Sequence, residues 1–405
     1  MRTGLTVQRD QDNFKLFDLL LIVGLTLAPM TGFRAWRVGP AEILCLLWGI
    51  RSLLKWRFRR SDTLSFFAVF LIVLALGYVV CSFIAPSEAS LTGLLTWLYL
   101  AIIAMSLYEG LSKRSLYYVE KLLRIFSVTA ILWYLFLYGY GRYVSRTFLG
   151  APLWYYSRFS GGATNPHQVA VMLCGLSFVF VRQILNRRKV LPNLLFAAAS
   201  VFLLLQTASS TGILAFFIGA LICIYLFFIN AFPRKKVQVA IVMTLILILV
   251  GLFIYSFVYD RFMAWVASDS NGMGRLRIFA SFPETFAKSP IVGLGPGTHG
   301  ENGYIEFHNT YLEIAAASGF IGSVAFLLYT VRIFKKTLHG DWRLLPIVVA
   351  MYAYGLAGFA MRRLVYWGIL MFVLVIAEKK IALQNENPCQ EYAEYPATEA
   401  QTGMM

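Results

Sequence analysis

Residues 63–84, 210–231 and 237–258 each run without one charged side chain. No other feature limits the fold of this chain as tightly. About 20 apolar residues cross a bilayer core as a helix. Within lipid, backbone N–H and C=O groups must be satisfied inside the segment or in a closed barrel. Measured that way, further spans lie at 15–33, 38–56, 91–108, 118–140, 167–185, 190–206, 309–331, 344–360 and 364–378. The prediction is all-α: a polytopic membrane helical bundle of about twelve transmembrane helices. Composition agrees, with 59% hydrophobic and 14% charged residues, where a soluble domain carries about a quarter charged. Met1 to Asn13 is polar and the first apolar run has no small-residue cleavage site, so that run reads as an anchor.

The formal charge is +16, from 36 Lys and Arg against 20 Asp and Glu. On a soluble protein this would point to nucleic acid. Here topology accounts for most of it, and no nucleic-acid partner is expected. With the N-terminus in the cytoplasm, the clusters 51–60, 112–114, 186–189, 233–236 and 332–336 fall on the inner side, as the positive-inside rule requires. Both termini are then cytoplasmic. The outer side receives Arg34, Arg37, Arg142, Arg146, Arg158, Arg261, Arg275, Arg277, Lys288, Arg362 and Arg363. All but one are arginine, whose planar fork suits phosphate oxygens. Arg362 and Arg363 also sit between two apolar runs, where a cation needs a cavity or a partner. An external anionic ligand or outer-leaflet lipid headgroups would each answer to this pattern.

Two outer segments are long enough to build a site: 141–166, rich in aromatics and arginine, and 259–308. They are expected to cap the outer face. The chain therefore divides into an N-terminal bundle (1–258), a large outer loop (259–308), C-terminal transmembrane helices (309–380) and a polar tail (381–405) expected to be disordered. No internal repeat of the transporter kind is visible. Cys45, Cys81, Cys174 and Cys223 lie inside apolar runs and Cys389 in the tail. Without CxxC pairs, acidic pairs or His clusters at ligand spacing, neither a metal nor a cofactor is expected.

Within 259–308, Leu276, Ile278, Phe279, Phe282 and Phe286 repeat at helical spacing, which predicts an amphipathic helix at the outer interface with Arg275 near its start. The run SPIVGLGPG follows, with Gly293 and Gly295. It reads either as a plain turn or as a backbone cradle for phosphate. His308-Asn309 stands directly before span 309–331, with Asn309 placed as a helix N-cap. His308 reads either as a general base, since imidazole titrates near neutral pH, or as an interface anchor. Glu301, Glu306 and Glu313 are close enough in sequence to orient it, and nothing in the sequence selects among them.

GRLRIFASFPETFAKSPIVGLGPG followed by FHNTYLEIAAASGFIG resembles the signature of the O-antigen ligase and polymerase family of bacterial membrane glycosyltransferases. The residues that carry the likeness are Arg275, Ser289-Pro290, Gly293, Gly295, His308-Asn309, Leu312, Gly319 and Gly322, within 272–322. RFSGGATNPHQVA (158–170) resembles the family's other outer segment. The resemblance implies a GT-C-like bundle whose large loop is periplasmic. It implies an undecaprenyl-diphosphate-linked oligosaccharide or polysaccharide as donor, with inversion at the anomeric carbon and no metal. His308 would then be the base and Arg275 would bind the diphosphate. Arg158, Arg277, Arg362 and Arg363 are further diphosphate candidates. Ligases of the family commonly carry an arginine in a Q-T-R-like turn between two middle spans. This chain has QTASSTG (206–212) there, so Ser210 and Thr211 offer hydroxyls without charge.

Three functions follow as expectations. The first is a polymerase of cell-surface polysaccharide repeat units in the bacterial inner membrane, with a lipid-linked repeat unit as acceptor. The second is a ligase moving the glycan to lipid A-core. The third, a flippase or transporter of lipid-linked sugars, would need ionisable residues near the bilayer midplane. Asp18 and Glu42, placed near the outer half or the ends of early spans, are its only support.

Overall fold

The computed structural model describes residues 15–34, 38–54, 61–249, 251, 278–297 and 307–386. Helices dominate. In chain order they are α1 (Asp18–Leu27), α2 (Pro40–Leu54), α3 (Asp62–Ile84), α4 (Leu91–Ser112) and α5 (Leu116–Tyr143). Next come α6 (His167–Leu185), α7 (Val190–Gln206), α8 (Ser210–Ala231) and α9 (236–249). The series ends with α10 (Phe282–Lys288), α11 (Thr310–Asp341), α12 (Leu345–Tyr354) and α13 (Leu364–Glu386). Two short antiparallel ribbons, Thr147–Phe148 with Ala151–Pro152 and Trp154–Tyr155 with Arg158–Phe159, fill the connection from α5 to α6.

Small polar residues set where several helices begin. The side chains of Ser61, Ser90, Ser115 and Ser209 accept backbone N–H groups at the starts of α3, α4, α5 and α8. Each satisfies a donor that the helix itself cannot. Six helical stretches among the described residues are long and apolar enough to cross a membrane: α3, α4, α5, α6, α8 and the stretch Thr310–Tyr354. The chain is a multi-pass helical membrane protein.

α6, α12 and the apolar part of α13 are deeply buried. Every residue from Leu364 to Ala377 is buried, as suits a helix that is apolar all round. α13 packs against α4, α5 and α11, and α12 against α6 and α8. The C-terminal helices are thus part of one core with the N-terminal bundle. Trp367 meets Phe67 at 4.9 Å and Phe66 at 6.2 Å, and Phe372 stacks on Phe126.

Several boundaries differ from expectation. The helix in span 15–33 stops at Leu27 before a 3-10 turn at Thr31–Phe33. Span 309–331 continues to Asp341. Span 344–360 ends at Tyr354 and gives way to a turn. α13 runs to Glu386, so the segment from 381 to 386 is helix rather than disordered tail. In the large loop, the expected amphipathic helix is interrupted by a turn at Ser281, with α10 beginning at Phe282.

One end of the bundle is held by charge. Arg182, 1% exposed, bonds Glu120 at 2.5 Å and Asp341 at 2.9 Å. Lys380 and Arg343 close on the same Asp341. Nearby, Lys336 bridges Asp62 and Glu378, both at 2.7 Å. Asp18 belongs to this end too, where Tyr118, Trp48 and Arg114 bond its carboxylate. Of the two placements expected for it, the end of a span is the one found, since α1 starts at Asp18. Glu42 lies at the opposite end, paired with Arg34. Both supports of the transporter reading are thus committed to partners at helix ends. Replacing Arg182 with Ala leaves Asp341 and Glu120 short of their buried counter-charge and should cost about 3–5 kcal/mol. Arg188→Ala, removing a 56% exposed group 3.8 Å from Glu120, should cost under about 1 kcal/mol. Thermal unfolding in detergent checks the contrast, and equal losses would contradict it.

Candidate active site

α11 is not a continuous helix. Gly319 has φ +56 and ψ −157, which breaks the ladder in its second turn and a half. A break inside an apolar span leaves carbonyls and amides that must find partners. The 289–295 segment supplies them. Leu294 and Gly295 donate their N–H groups to the carbonyls of Ala316 (2.9 Å) and Ala317 (2.8 Å), while Phe320 and Ile321 donate to Pro290 (2.8 Å) and Ile291 (3.2 Å). Glycine is required by contact and by conformation: φ is +75 at Gly293 and +71 at Gly295, and a Cβ on Gly293 would lie 2.4 Å from the Ala317 carbonyl carbon. The N–H of Gly293 goes to Ser289. The amides of residues 293–295 are thus spent on the fold itself, in a turn seated on α11. The G-x-x-G pair of Gly319 and Gly322 lies within the broken helix.

The same helix begins beside the prominent histidine. Asn309 caps α11 through Oδ1, which accepts from Tyr311 (2.9 Å) and Leu312 (3.2 Å). Its amide donates to the Leu356 carbonyl at 2.8 Å. Thr310 donates its N–H to Gly355 and its hydroxyl to Gly358, and accepts from Ala360. On the other side, Phe307 is buried against Ile278, Phe282, Leu312 and Ala316, and its N–H donates to Glu313 at 3.0 Å. His308 stands exposed between these two anchors at φ +50. That conformation is costly for most side chains and tolerated better by histidine; it persists only where the surroundings impose it.

The 355–360 turn that ties α11 continues directly into Arg362 and Arg363. Arg362 lies over the Phe359 ring at 5.3 Å and lines a small pocket with Glu313, Phe70, Trp97 and Pro296. Arg363 lies toward α6. With the Gln168 amide turned so that its oxygen faces donors, that oxygen accepts from Arg363 Nη1 at 3.2 Å.

The remaining candidates meet the same turn from its other side. His167 opens α6, with Nδ1 2.7 Å from the Ser209 hydroxyl. The hydroxyl of Tyr354 donates to the His167 carbonyl at 2.8 Å. Thr211 donates to Ala357 at 3.2 Å, and Arg158 Nε donates to the Thr207 carbonyl at 3.0 Å. Three helices, α6, α8 and α11, therefore begin around one turn, and helix N-termini favour anions. Arg158, Arg362 and Arg363 add full charges to that face.

Of the residues singled out in the sequence, His308, Asn309, Gly293, Gly295, Arg158, Ser210, Thr211, Arg362 and Arg363 are described, and the 354–363 turn links most of their segments. Ser210 is exposed, while Thr211 is buried with its hydroxyl given to Ala357. Arg275 and Arg277 lie outside the described residues. Sequence reasoning passed over His167, Gln168 and Tyr354. His167 had a usable signal, being one of only four histidines and placed at the mouth of a span.

Residues 194–327 match the model of a family described as O-antigen ligase. The matched segment contains the 206–212 turn, the glycine loop, His308-Asn309 and Gly319, and leaves Arg158, His167, Arg362 and Arg363 outside. Among curated proteins, none matches the chain. The match covers about a third of the chain, and over that segment the chain is similar to the O-antigen ligase family.

The joint between the loop and α11 is testable. Gly319→Ala forces a Cβ to within 2.5 Å of Gly293 N and the Ile291 carbonyl carbon at positive φ, and should destabilise by at least about 1–3 kcal/mol. Gly139→Ala, where no atom lies within 4 Å of the new Cβ, should be neutral or stabilise by up to about 1 kcal/mol. Unfolding midpoints in detergent compare them, and a tolerated Gly319→Ala would refute the steric account.

Proposed function

From this likeness to the O-antigen ligase family, we propose that the chain transfers a glycan from an undecaprenyl-diphosphate donor to an acceptor sugar hydroxyl at the periplasmic face of the bacterial inner membrane. Both termini then lie in the cytoplasm. The observation that carries this reading is the exposed His308, fixed between Phe307 and Asn309, on a face that also bears Arg158, Arg362, Arg363 and three helix N-termini.

In this mechanism the His308 imidazole takes the proton of the acceptor hydroxyl. The oxygen attacks the anomeric carbon from the side opposite the diphosphate, forming the new glycosidic bond as the bond to the diphosphate oxygen breaks. The anomeric configuration inverts and undecaprenyl diphosphate departs. Arginines beside the leaving group offset its growing charge. Arg275 holds the diphosphate by its place in the family pattern, with Arg277, Arg362 and Arg363 as further donors. Arg158 answers for the charge missing from the 206–212 turn, because its guanidinium bonds the carbonyl of Thr207 within that turn. Ser209 is engaged as a cap and by His167, and Ser210 is the hydroxyl left exposed toward a ligand. Asn309, Gly293 and Gly295 support the site by fixing backbone.

Polymerisation of lipid-linked repeat units is the preferred reaction, since the turn carries hydroxyls where ligases commonly carry arginine. Ligation to lipid A-core is the second reading. Purified protein given a lipid-linked repeat unit alone decides between them: longer chains indicate a polymerase, and product only when lipid A-core is added indicates a ligase. His308→Ala should lower transfer by about 10²–10⁴-fold at unchanged protein level. Arg158→Lys, which keeps the charge and loses the fork, should also impair it. Full activity in His308→Ala would refute the base assignment.

A further inference from the structure

Glu301, Glu306 and Glu313 are all close to His308 in sequence, and Glu313 alone falls among the described residues. It is 5% exposed, in the first turn of α11. Its Oε2 accepts the N–H of Phe307 at 3.0 Å, so the carboxylate reaches back past His308 to the residue before it and closes 307–313 on itself. That N–H belongs to a residue 1% exposed and would otherwise be buried without a partner, which costs about 1–3 kcal/mol. The same side chain lines the pocket shared with Arg362. Asn309 fixes the peptide after His308, and Glu313 fixes the one before it. A non-glycine residue at φ +50 needs both sides held.

We propose that Glu313 is a positioning residue for glycan transfer: its carboxylate oxygen holds the Phe307 peptide and so keeps His308 in its left-handed conformation on the arginine-bearing face. The proposal rests on the reading of His308 as base. The role requires an acceptor at the right reach. Glutamine retains that acceptor, whereas aspartate retains the charge but is one methylene short.

The test uses the full-length protein purified in detergent, with a lipid-linked repeat unit as donor and acceptor, or with lipid A-core added as acceptor if the chain is a ligase. Glu313→Gln should stay within about threefold of wild-type kcat, while Glu313→Ala and Glu313→Asp should lose about 10–100-fold in kcat with the donor KM unchanged, as misplacement of a reacting group costs. Glu313→Ala combined with His308→Ala should lose no more than His308→Ala alone, because both act through one group. The proposal is overturned if all three variants keep wild-type kcat, or if Asp is active and Gln is not, which would mean charge. It is also overturned if Gln loses kcat and thermal stability together as Ala does, which would mean a structural role only. Should Glu313→Ala fail to accumulate, Gln against Asp still decides. Activity retained in His308→Ala sinks the base reading itself, whereas an inactive His308→Ala beside a fully active Glu313→Ala sinks this inference alone.

Discussion

The backbone exchange between α11 and the 289–295 segment is the joint on which the candidate face depends. A membrane-spanning helix cannot be interrupted cheaply, because lipid offers no partner to a freed carbonyl or amide. At Gly319 the interruption is made good by four bonds from a loop that is itself bent by Gly293 and Gly295. Gly77 of α3 lets this loop approach closely, since a Cβ there would lie 2.5 Å from Gly295 N. The large loop is thereby seated on the bundle by main-chain bonds. Whatever its remaining residues do, the seat lies in the helix whose cap directly follows His308, eleven residues from His308 to Gly319.

From this seat the site grows outward in two steps. The start of α11 is tied through Asn309 and Thr310 to the 355–360 turn, and that turn reaches the α6 and α8 starts through Tyr354 and Ala357. The turn sits between two deeply buried helices, α12 and α13, so its geometry is set by core packing rather than by its own sequence. Residues from four distant parts of the chain are brought together by a short segment with no motif of its own.

That explains what could and could not be read beforehand. Charge-free runs and Ser or Asn caps follow from local chemistry, so the long spans, the α11 start at Asn309 and the buried cysteines were legible. The arginines stood out because Arg362 and Arg363 interrupt apolar sequence. What stayed hidden depends on partners remote in sequence. Nothing near Asp18 announces Tyr118 or Arg114, and nothing near Gly319 announces that Ala316 and Ala317 will bond a loop some 22 residues earlier. The glycine run was ambiguous for the same reason: a cradle and a buckle have one composition, and they differ only in where the N–H groups point. His167 was missed because its partner, Ser209, is 42 residues away.

The burial of α13 bears on how the chain is assembled. Its apolar stretch, Leu364 to Ala377, is shorter than the roughly 20 residues that hold a lone helix across a bilayer. Its surface is covered by α4, α5 and α11 rather than by lipid. A segment of this kind gains its stability from neighbours already in place. It is made after the helices it packs against, since a chain is synthesised from the N-terminus. The earlier helices must therefore wait around an unfilled centre until α13 arrives to close it.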